Sequence, residues 1–407
     1  MSLSRSTAHR PASKGPSWQD GGVSFDPLVL DLLSQLPSYD GSAVFSLTAR
    51  LREEGWASEV ISAALTQSRL RAQAKGKFGS RAERMLFTAD ALEQASRPDA
   101  AAHHASVFAD AGISSLREVG CGIGADTLAF AQAGIGVTAR ELDPERADFA
   151  AYNLRDYDGA VVEQADGLAD ITEDALWADP ARRDPHGRII NPEKWQPPLS
   201  VVLEAARRVR VAGIKIAPGI DYSHLPQDAM VEWLSSRGEL VESIIWLGRG
   251  TPGRRAVLLG GASLTVPGNP SKPAEMVEPA PLGNVIYEPD PAIIRAGGIA
   301  TLCATLDLAP VAPGIAYLTG GPARSPFLTG FSVTDVLPLQ EKKLSRELRS
   351  RDIGTLEIKK RGVNIAPDAL RSRLKLKGSR SATLILTPLL DGRKAVLVER
   401  LPPDSEP

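Results

Sequence analysis

From Leu116 to about Ala262, short apolar runs alternate with helical segments, and this alternation narrows the fold more than any other feature. LREVG precedes GIGADTLAFAQAG, and GVTARELD precedes PERADFAAYNLRD. AVVEQAD, ALWADP and GIKIAPG follow, with PLSVVLEAARRVRV before the last. Repeated strand-then-helix units predict a parallel, doubly wound α/β sheet with right-handed crossovers. VESIIWLG and RRAVLLGG, joined by RGTPG, predict an antiparallel terminal hairpin. Ligands of such sheets bind at the carboxyl ends of the parallel strands. Those ends carry Glu118 to Gly124, Glu141 to Asp143, Asp166, Asp179 and Pro218.

The rest of the chain reads differently. Residues 1–22 are rich in Ser, Arg, Pro and Gly and lack an apolar period, so a disordered tail is expected. Residues 23–112 carry apolar residues at steps of three and four, a helical region with Ser58 and Asp90 at candidate N-caps. The α/β domain is placed at 113–264 and a Pro-rich linker at 265–283. A separate, smaller α+β module follows over 284–407, ending in a hairpin turned at Asp391-Gly392. Within it, residues 341–380 hold 13 Lys/Arg against 5 Asp/Glu. SRLRAQAKGKFGSRAER, residues 68–84, is a second basic stretch.

Composition removes several function classes. Net charge is -2, so whole-molecule charge selects no partner. Two cysteines, Cys121 and Cys303, exclude a disulfide framework and a Cys-rich zinc site. The five histidines form no His-x-x-x-His, and no protein-held metal is expected. No apolar run approaches 18 residues, so the expectation is a soluble, cytoplasmic protein without membrane contact.

EVGCGIG, residues 118–124, follows a strand and opens a helix. Glycines there let a ligand approach the backbone where a Cβ would collide. Gly120, Gly122 and Ala125 also fit a dinucleotide fingerprint, which keeps an NAD-dependent oxidoreductase open. The acids favour S-adenosylmethionine. Glu118 ends the first strand, where its charge can face an amino group. Glu141 ends the second, where a carboxylate can accept from both ribose hydroxyls. Asp166 ends the third, where it can accept from an adenine amine. Three acids around one crevice suit a sulfonium better than a pyrophosphate. Cys121, with no His near it in sequence, reads as a packing residue in the loop, not as a nucleophile.

On these residues, 116–262 resemble a class I S-adenosylmethionine-dependent methyltransferase. E-x-G-x-G-x-G matches motif I, Glu141 the ribose acid and Asp166 the adenine-side acid. The resemblance implies a Rossmann-like, seven-stranded, mostly parallel sheet. It also implies S-adenosyl-L-methionine held by Glu118, Gly120, Cys121, Gly122, Gly124, Glu141, Leu142, Asp166 and Gly167.

Asp179-Pro180 ends the fourth strand, where methyltransferases of exocyclic nucleobase amines carry (N/D/S)-P-P-(Y/F/W). Such an amine is a poor nucleophile because its lone pair is delocalised into the ring. Acceptors on its N–H groups aim that lone pair, and proline adds no competing donor. Here the stretch reads Asp-Pro-Ala-Arg-Arg, without the second proline or the aromatic. Arg182 or Arg183 can take over the stacking role, since a guanidinium plane stacks on a base. Trp195 is a further stacking candidate and also a residue type that fills cores. The bland reading of Asp179-Pro180 is a helix cap after a strand.

DPARR with the N-P-E-x-W-x-P-P-L stretch also resembles bacterial methyltransferases carrying a C-terminal THUMP-like domain. RMLFTADALEQASRP resembles the segment before motif I in trimethylguanosine synthase-like enzymes, where an aromatic-Thr pair borders the cofactor; Phe87 and Thr88 match that pair, which adds Thr88 to the implied cofactor set, while Phe87 reads first as helix core. A THUMP-like module implies RNA, structured RNA such as tRNA or rRNA. The leading expectation is RNA modification: methylation of an exocyclic amine of an RNA nucleobase. The alternatives are a non-catalytic RNA-binding protein with a retained cofactor pocket and the NAD-dependent oxidoreductase.

Overall fold

The computed structural model describes residues 26–184 and 187–402; the tail expected over 1–22 lies outside them. The described chain opens with helices α1 (Pro27–Gln35), α2 (Val44–Glu53), α3 (Ser58–Phe78), α4 (Ala89–Gln94) and α5 (Pro98–Asp110). Asp26 caps α1 by accepting from the Leu28 N–H, with Pro27 at the first helical position. The expected caps shift slightly. Ser58 lies inside α3, and the α4 cap is Thr88, whose hydroxyl accepts from the Ala91 N–H at 3.1 Å. Asp90 stands in the first turn of α4, where its charge meets the helix dipole instead.

The α/β unit then runs β1 (Ser115–Val119), α6 (Ala125–Gln132), β2 (Gly136–Glu141), α7 (Pro144–Leu154), β3 (Ala160–Gln164) and β4 (Ala175–Ala178). It continues with α8 (Leu199–Ala206), β5 (Val211–Ile216), β6 (Met230–Ser236), β7 (Glu239–Leu247), β8 (Gly253–Leu258) and β9 (Ser263–Pro267). The sheet order is β9-β8-β6-β7-β5-β4-β1-β2-β3. Strands β3, β2, β1, β4 and β5 are parallel, and β7 lies antiparallel between β5 and β6. The seven-stranded mostly parallel sheet is present, and β8 and β9 extend it.

The terminal hairpin differs from the expected one. It joins β6 to β7 through Arg237 (φ 53) and Gly238 (φ 79). Positive φ at both central residues is the mark of a type I′ turn, which matches the twist of paired strands. β6 therefore sits between the two segments expected to pair, and RGTPG carries the chain across it to β8, parallel to β6.

The second sheet is built from β10 (Val285–Pro289), β11 (Leu308–Pro310), β12 (Leu318–Gly320), β13 (Leu328–Pro338), β14 (Ile353–Lys360), β15 (Arg380–Leu389) and β16 (Gly392–Arg400). Its order is β11-β12-β10-β13-β16-β15-β14. Helices α9 (Pro291–Arg295) and α10 (Ile299–Leu306) follow β10. Helices α11 (Glu341–Ser350) and α12 (Pro367–Leu374) bury Leu344, Leu348, Leu370 and Leu374 in one core with β13–β16. The expected linker does not separate the packing. Residues 263–267 are strand β9, and Arg254 donates to the Lys272 carbonyl at 3.0 Å. Ile293 of α9 and Leu302 and Cys303 of α10 share one apolar core with Ile214, Val231 and Trp233 of the first sheet. The other face of that sheet is covered by Phe108 of α5 and Phe130 of α6. Among the described residues no helix is long and apolar enough to cross a membrane.

Candidate active site

The carboxyl ends of β1, β2 and β4 open into a cleft of about 2190 Å³. Ordinary ligand pockets hold roughly 300–1,000 Å³, so this space admits a cofactor and a second molecule together. Its floor is the loop after β1. Gly120, Gly122 and Gly124 all have positive φ, and the last is the left-handed N-cap of α6. The Gly120 and Cys121 N–H groups bond the Arg140 carbonyl at 2.8 and 3.2 Å, pinning the loop to β2. A Cβ on Gly122 would meet nothing within 4 Å, so the loop is open to the cleft there. On Gly120 it would stand 3.3 Å from the Asp179 carbonyl. The glycine loop and the Asp-Pro step therefore abut.

Glu141 is anchored by two backbone donors. The Gly122 N–H reaches Oε2 at 2.9 Å and the Asp143 N–H reaches Oε1 at 3.1 Å. Each oxygen keeps a second lone pair. Leu142 beside it lines the cleft and is 57% exposed. Asp166 is exposed and accepts from the Leu168 N–H at 2.9 Å, and Gly167 is packed where a Cβ would lie 2.7 Å from Val119. Glu118 is buried and accepts from the Thr127 hydroxyl at 2.6 Å. Burial first, and Asp126 second, push its carboxyl up to about 8, against the Thr127 bond. Burial and the neighbouring acids Glu118 and Glu141 push the Cys121 thiol well above its usual range, which removes it as a nucleophile.

Register explains what surrounds Asp179. Trp177 of β4 lies level with Gly213 of β5, and Gly213 with Trp246 of β7. Gly213 has no room for a side chain without a shift of its neighbours, since a Cβ would come within 2.6 Å of both indoles. Two residues along each strand on the same face stand Asp179 and Lys215. Lys215 Nζ donates to Asp179 Oδ2 at 2.8 Å and to Ser96 Oγ at 3.0 Å, and lies 3.6 Å from Glu242. Ser96 in turn donates to Asp126 at 2.7 Å, and His104 Nδ1 lies 2.9 Å from Asp126. His104 Nε2 is 2.5 Å from Glu242, a charge contact outside hydrogen-bond geometry. The Trp177 ring lies under His104 at 4.3 Å.

These charges are buried and hold one another. Burial alone would lower the Lys215 pKa, but Asp179, Glu242 and Asp126 keep it above the usual lysine range. Burial likewise opposes the His104 imidazolium, yet Glu242 and Asp126 raise it to about 9. Asp126, despite its own burial, is drawn down to about 2 by His104 and Lys215, and Glu242 is lowered by the same two cations. An unpaired buried ion costs several kcal/mol, so the groups stand or fall together.

The segment after Asp179-Pro180 turns back on itself. Ala181 and Gln196 bond each other in both directions, and Arg183 pairs with Arg188 in a short antiparallel arm. Arg182 lies 3.9 Å from Asp179 Oδ1, and Arg183 is paired with Glu93 at 2.8 Å. Both line the cleft. Trp195 does not. It is buried against Leu199 and Val202, and its N–H is satisfied by the Ile189 carbonyl at 3.0 Å, so it has no face to offer a base. Phe87 is also core, held through its backbone by Gln67. Thr88 spends its hydroxyl on the α4 cap and does not line the cleft.

Sequence reasoning missed Lys215, His104, Asp126, Glu242, Ser96 and also Lys77. Lys77 lines the cleft, pushed down to about 8 by burial and by Lys215 and Arg97. One signal was available: a lysine inside GIKIAPG, an otherwise apolar strand, must have a partner.

Comparisons with known proteins agree with this architecture. Residues 328–400 match the family model described as THUMP domain-like, and residues 30–74 match a domain of unknown function (DUF8688). An uncharacterized S-adenosylmethionine-dependent methyltransferase of Mycobacterium tuberculosis, from strains CDC 1551 and H37Rv, is 34% identical over 332 residues. The match covers 78% of this chain and 90% of the relative. A crystal structure from Porphyromonas gingivalis W83, described as a methyltransferase, shares the fold. It has a TM-score of 0.71 at 19% identity, covering 89% of this chain and 99% of that one. By its kinship with the mycobacterial enzymes, and with a glycine loop ringed by acids to match, the chain belongs to the S-adenosylmethionine-dependent methyltransferases.

Proposed function

We propose that the chain methylates an exocyclic amine of an RNA nucleobase, with Asp179 as the residue that receives the amine. The observation that carries this reading is the abutment of Asp179 on the glycine loop, with one of its carboxylate oxygens already held by Lys215.

The cleft fits the cofactor. Gly122 leaves its backbone open, Glu141 has a lone pair free on each oxygen for ribose hydroxyls, and Leu142 offers an apolar surface to adenine. In this reading the exposed Asp166 accepts from an adenine amine, and Glu118, which also lines the cleft, is the acid for an amino group. The bound cofactor supplies an electrophilic methyl group on a sulfonium. Lys215 fixes Asp179 through Oδ2, so Oδ1 keeps its direction as acceptor for one amine N–H. The Pro180 carbonyl, to which no donor comes among the described residues, is the acceptor for the second. The Asp179 carboxylate counters positive charge as it develops on the nitrogen and then takes its proton. Arg182, beside Asp179, is the stacking plane that replaces the missing aromatic.

RNA as the polymer rests on the THUMP domain-like match and on the cations of 341–380, where phosphate contacts release counterions. Membership in the methyltransferases sets aside the nicotinamide oxidoreductase and the non-catalytic reading. The test is transfer of labelled methyl from S-adenosylmethionine to total RNA, followed by nucleoside mass spectrometry. The expected product is an N-methylated base, lost in Asp179→Ala while S-adenosylhomocysteine still stabilises the variant. Equal transfer by Asp179→Ala overturns the assignment.

A further inference from the structure

The basic stretch 68–84 has no part in the site described so far, and most of it lies on α3. Ser62, Thr66, Arg69, Gln73 and Gly76 recur at steps of four and three, which puts them on one helix face. All five are exposed. The two ends of this face border different spaces. Toward the start of α3, Ser62, Thr66 and Arg69 wall a surface cavity of about 360 Å³, closed by Tyr39, Thr48 and Arg52. Toward its end, Gln73, Gly76 and Lys77 wall the catalytic cleft. At 1.5 Å per residue the stripe is about 21 Å long and joins the two without a break.

Its charge has a direction. Arg50 is paired with Glu54, Lys75 with Glu83 and Arg84 with Asp156. The side chains of Arg52 and Arg69 have no ion-pair or hydrogen-bond partner among the described residues, and no carboxylate lines their cavity. Glu59, in the first turn of α3, is the nearest acid on that helix and stands at the far end from the cleft. Aromatic surface is at hand: Tyr39, 36% exposed, lines the cavity, and Phe45, 88% exposed, is the neighbour in sequence of the lining residue Val44 on α2. Free guanidinium groups for phosphates, bare rings for bases and a polar helix wall are the combination that holds single-stranded nucleic acid.

We infer that this face of α3, with Arg52, Tyr39 and Phe45, is the track along which a single-stranded RNA segment enters the catalytic cleft. The inference rests on the reading of RNA as substrate. It assigns the DUF8688 segment a role in substrate entry, separate from any grip exerted by the C-terminal module.

The test uses the full chain and a fluorescein-labelled single-stranded RNA of about 12 nucleotides. Anisotropy is read between about 50 and 200 mM salt. The Arg52→Ala/Arg69→Ala double variant should bind about tenfold more weakly. The slope of log K against log salt should fall by about 1.4, since each single-strand phosphate contact contributes about 0.7. Phe45→Ala should weaken binding about fivefold with the slope unchanged, because stacking is not ionic. Arg50→Ala, which removes a paired cation, should bind as wild type. Thermal stabilisation by S-adenosylhomocysteine should be the same in all four proteins, which reports an intact fold. Wild-type affinity and slope in the double variant overturn the track while leaving RNA as substrate. Absence of RNA binding by the wild type overturns both. Equal displacement by DNA of the same sequence overturns the choice of RNA.

Discussion

Two regions of this chain are rich in charge, and they handle it in opposite ways. Beneath the cleft, Glu118, Asp126, His104, Lys215 and Glu242 are buried, and each is fixed by named partners at short range. Across 341–380 the cations are mostly exposed, and several pair with acids at the surface, as Arg371 with Asp368 and Arg373 with Glu341. The buried set is scattered in sequence, with one member on β1, one on β5 and one on β7. The exposed set is a visible run. Density of charge in a sequence therefore marks where solvent is, whereas single charges in apolar strands mark where structure and chemistry meet. Exposed pairs contribute about 0–1 kcal/mol, but removing one member of a buried set costs about 3–5 kcal/mol.

The largest effect should come from His104→Leu. It removes one of the two cations that hold Asp126 and Glu242 in a dry interior, leaving Lys215 alone against them, and we expect a loss of about 3–5 kcal/mol in urea unfolding. The pH profile carries the same information. His104 is raised to about 9 in the folded protein, from an unfolded value near 6.5. Its stabilisation is complete below the unfolded value and disappears as pH rises through about 9. Wild-type stability should fall between those limits, and the variant's should fall less. A loss under about 1 kcal/mol would erase the distinction between the two regions.

Second in size is Gly213→Ala. The added methyl would sit 2.6 Å from Trp177 and from Trp246, and overpacking of this kind costs about 1–3 kcal/mol. Because Asp179, the residue after β4, and Lys215 of β5 each stand two positions beyond Trp177 and Gly213, the substitution should also lower methyl transfer, which a single-turnover rate would show. Full activity in a destabilised variant would mean that the indole layer supports the fold and not the site.

Such cases show what the sequence could and could not disclose. That the glycine loop, Glu141 and Asp179 stand at strand ends around one cleft was legible, because alternating strand and helix segments show where each strand stops. The partners of Asp179 were not, because register assembles them. Nothing local links Lys215 to Asp179; the register that sets Trp177 level with Gly213 does. Trp195 misled because an indole near a substrate motif invites a stacking role, whereas Leu199 and Val202 downstream bury it. The hairpin was misplaced because Arg237-Gly238, two residues with positive φ, is a shorter signal than the Pro/Gly-rich RGTPG. The single core joining β5–β8 to α9 and α10 was invisible for the same reason: a Pro-rich segment looks like a spacer whatever its flanks pack against.

Third, Glu118 should tie cofactor binding to proton release. Its carboxyl is pushed up to about 8, so near neutral pH the free protein carries it protonated. This raised carboxyl works against stability: the unfolded chain ionises above about 4.5, and the folded state loses ground as pH climbs from there toward 8. An ammonium seated beside it would favour the ionised form, and each unit of change is worth about 1.4 kcal/mol. Titration calorimetry of S-adenosylhomocysteine at pH 7 in buffers of different ionisation enthalpy should show release of up to one proton, absent in Glu118→Gln. Equal proton counts in both would move the amino group elsewhere in the cleft.

The smallest effect on the fold should come from the exposed region. Lys342 and Lys343 on α11 are exposed and make no ion pair among the described residues. Reversing both to Glu should shift unfolding by no more than about 0.5 kcal/mol, the range for surface substitutions away from special features. If the THUMP-like module grips RNA, the same protein should bind RNA more weakly, with a salt slope reduced by about 1.4 or more. The double reversal thus separates two kinds of charge. A variant that folds as wild type and loses RNA assigns the surface run to binding. One that loses more than about 1 kcal/mol of stability shows that the run is part of the architecture, and then the contrast with the buried set is one of degree.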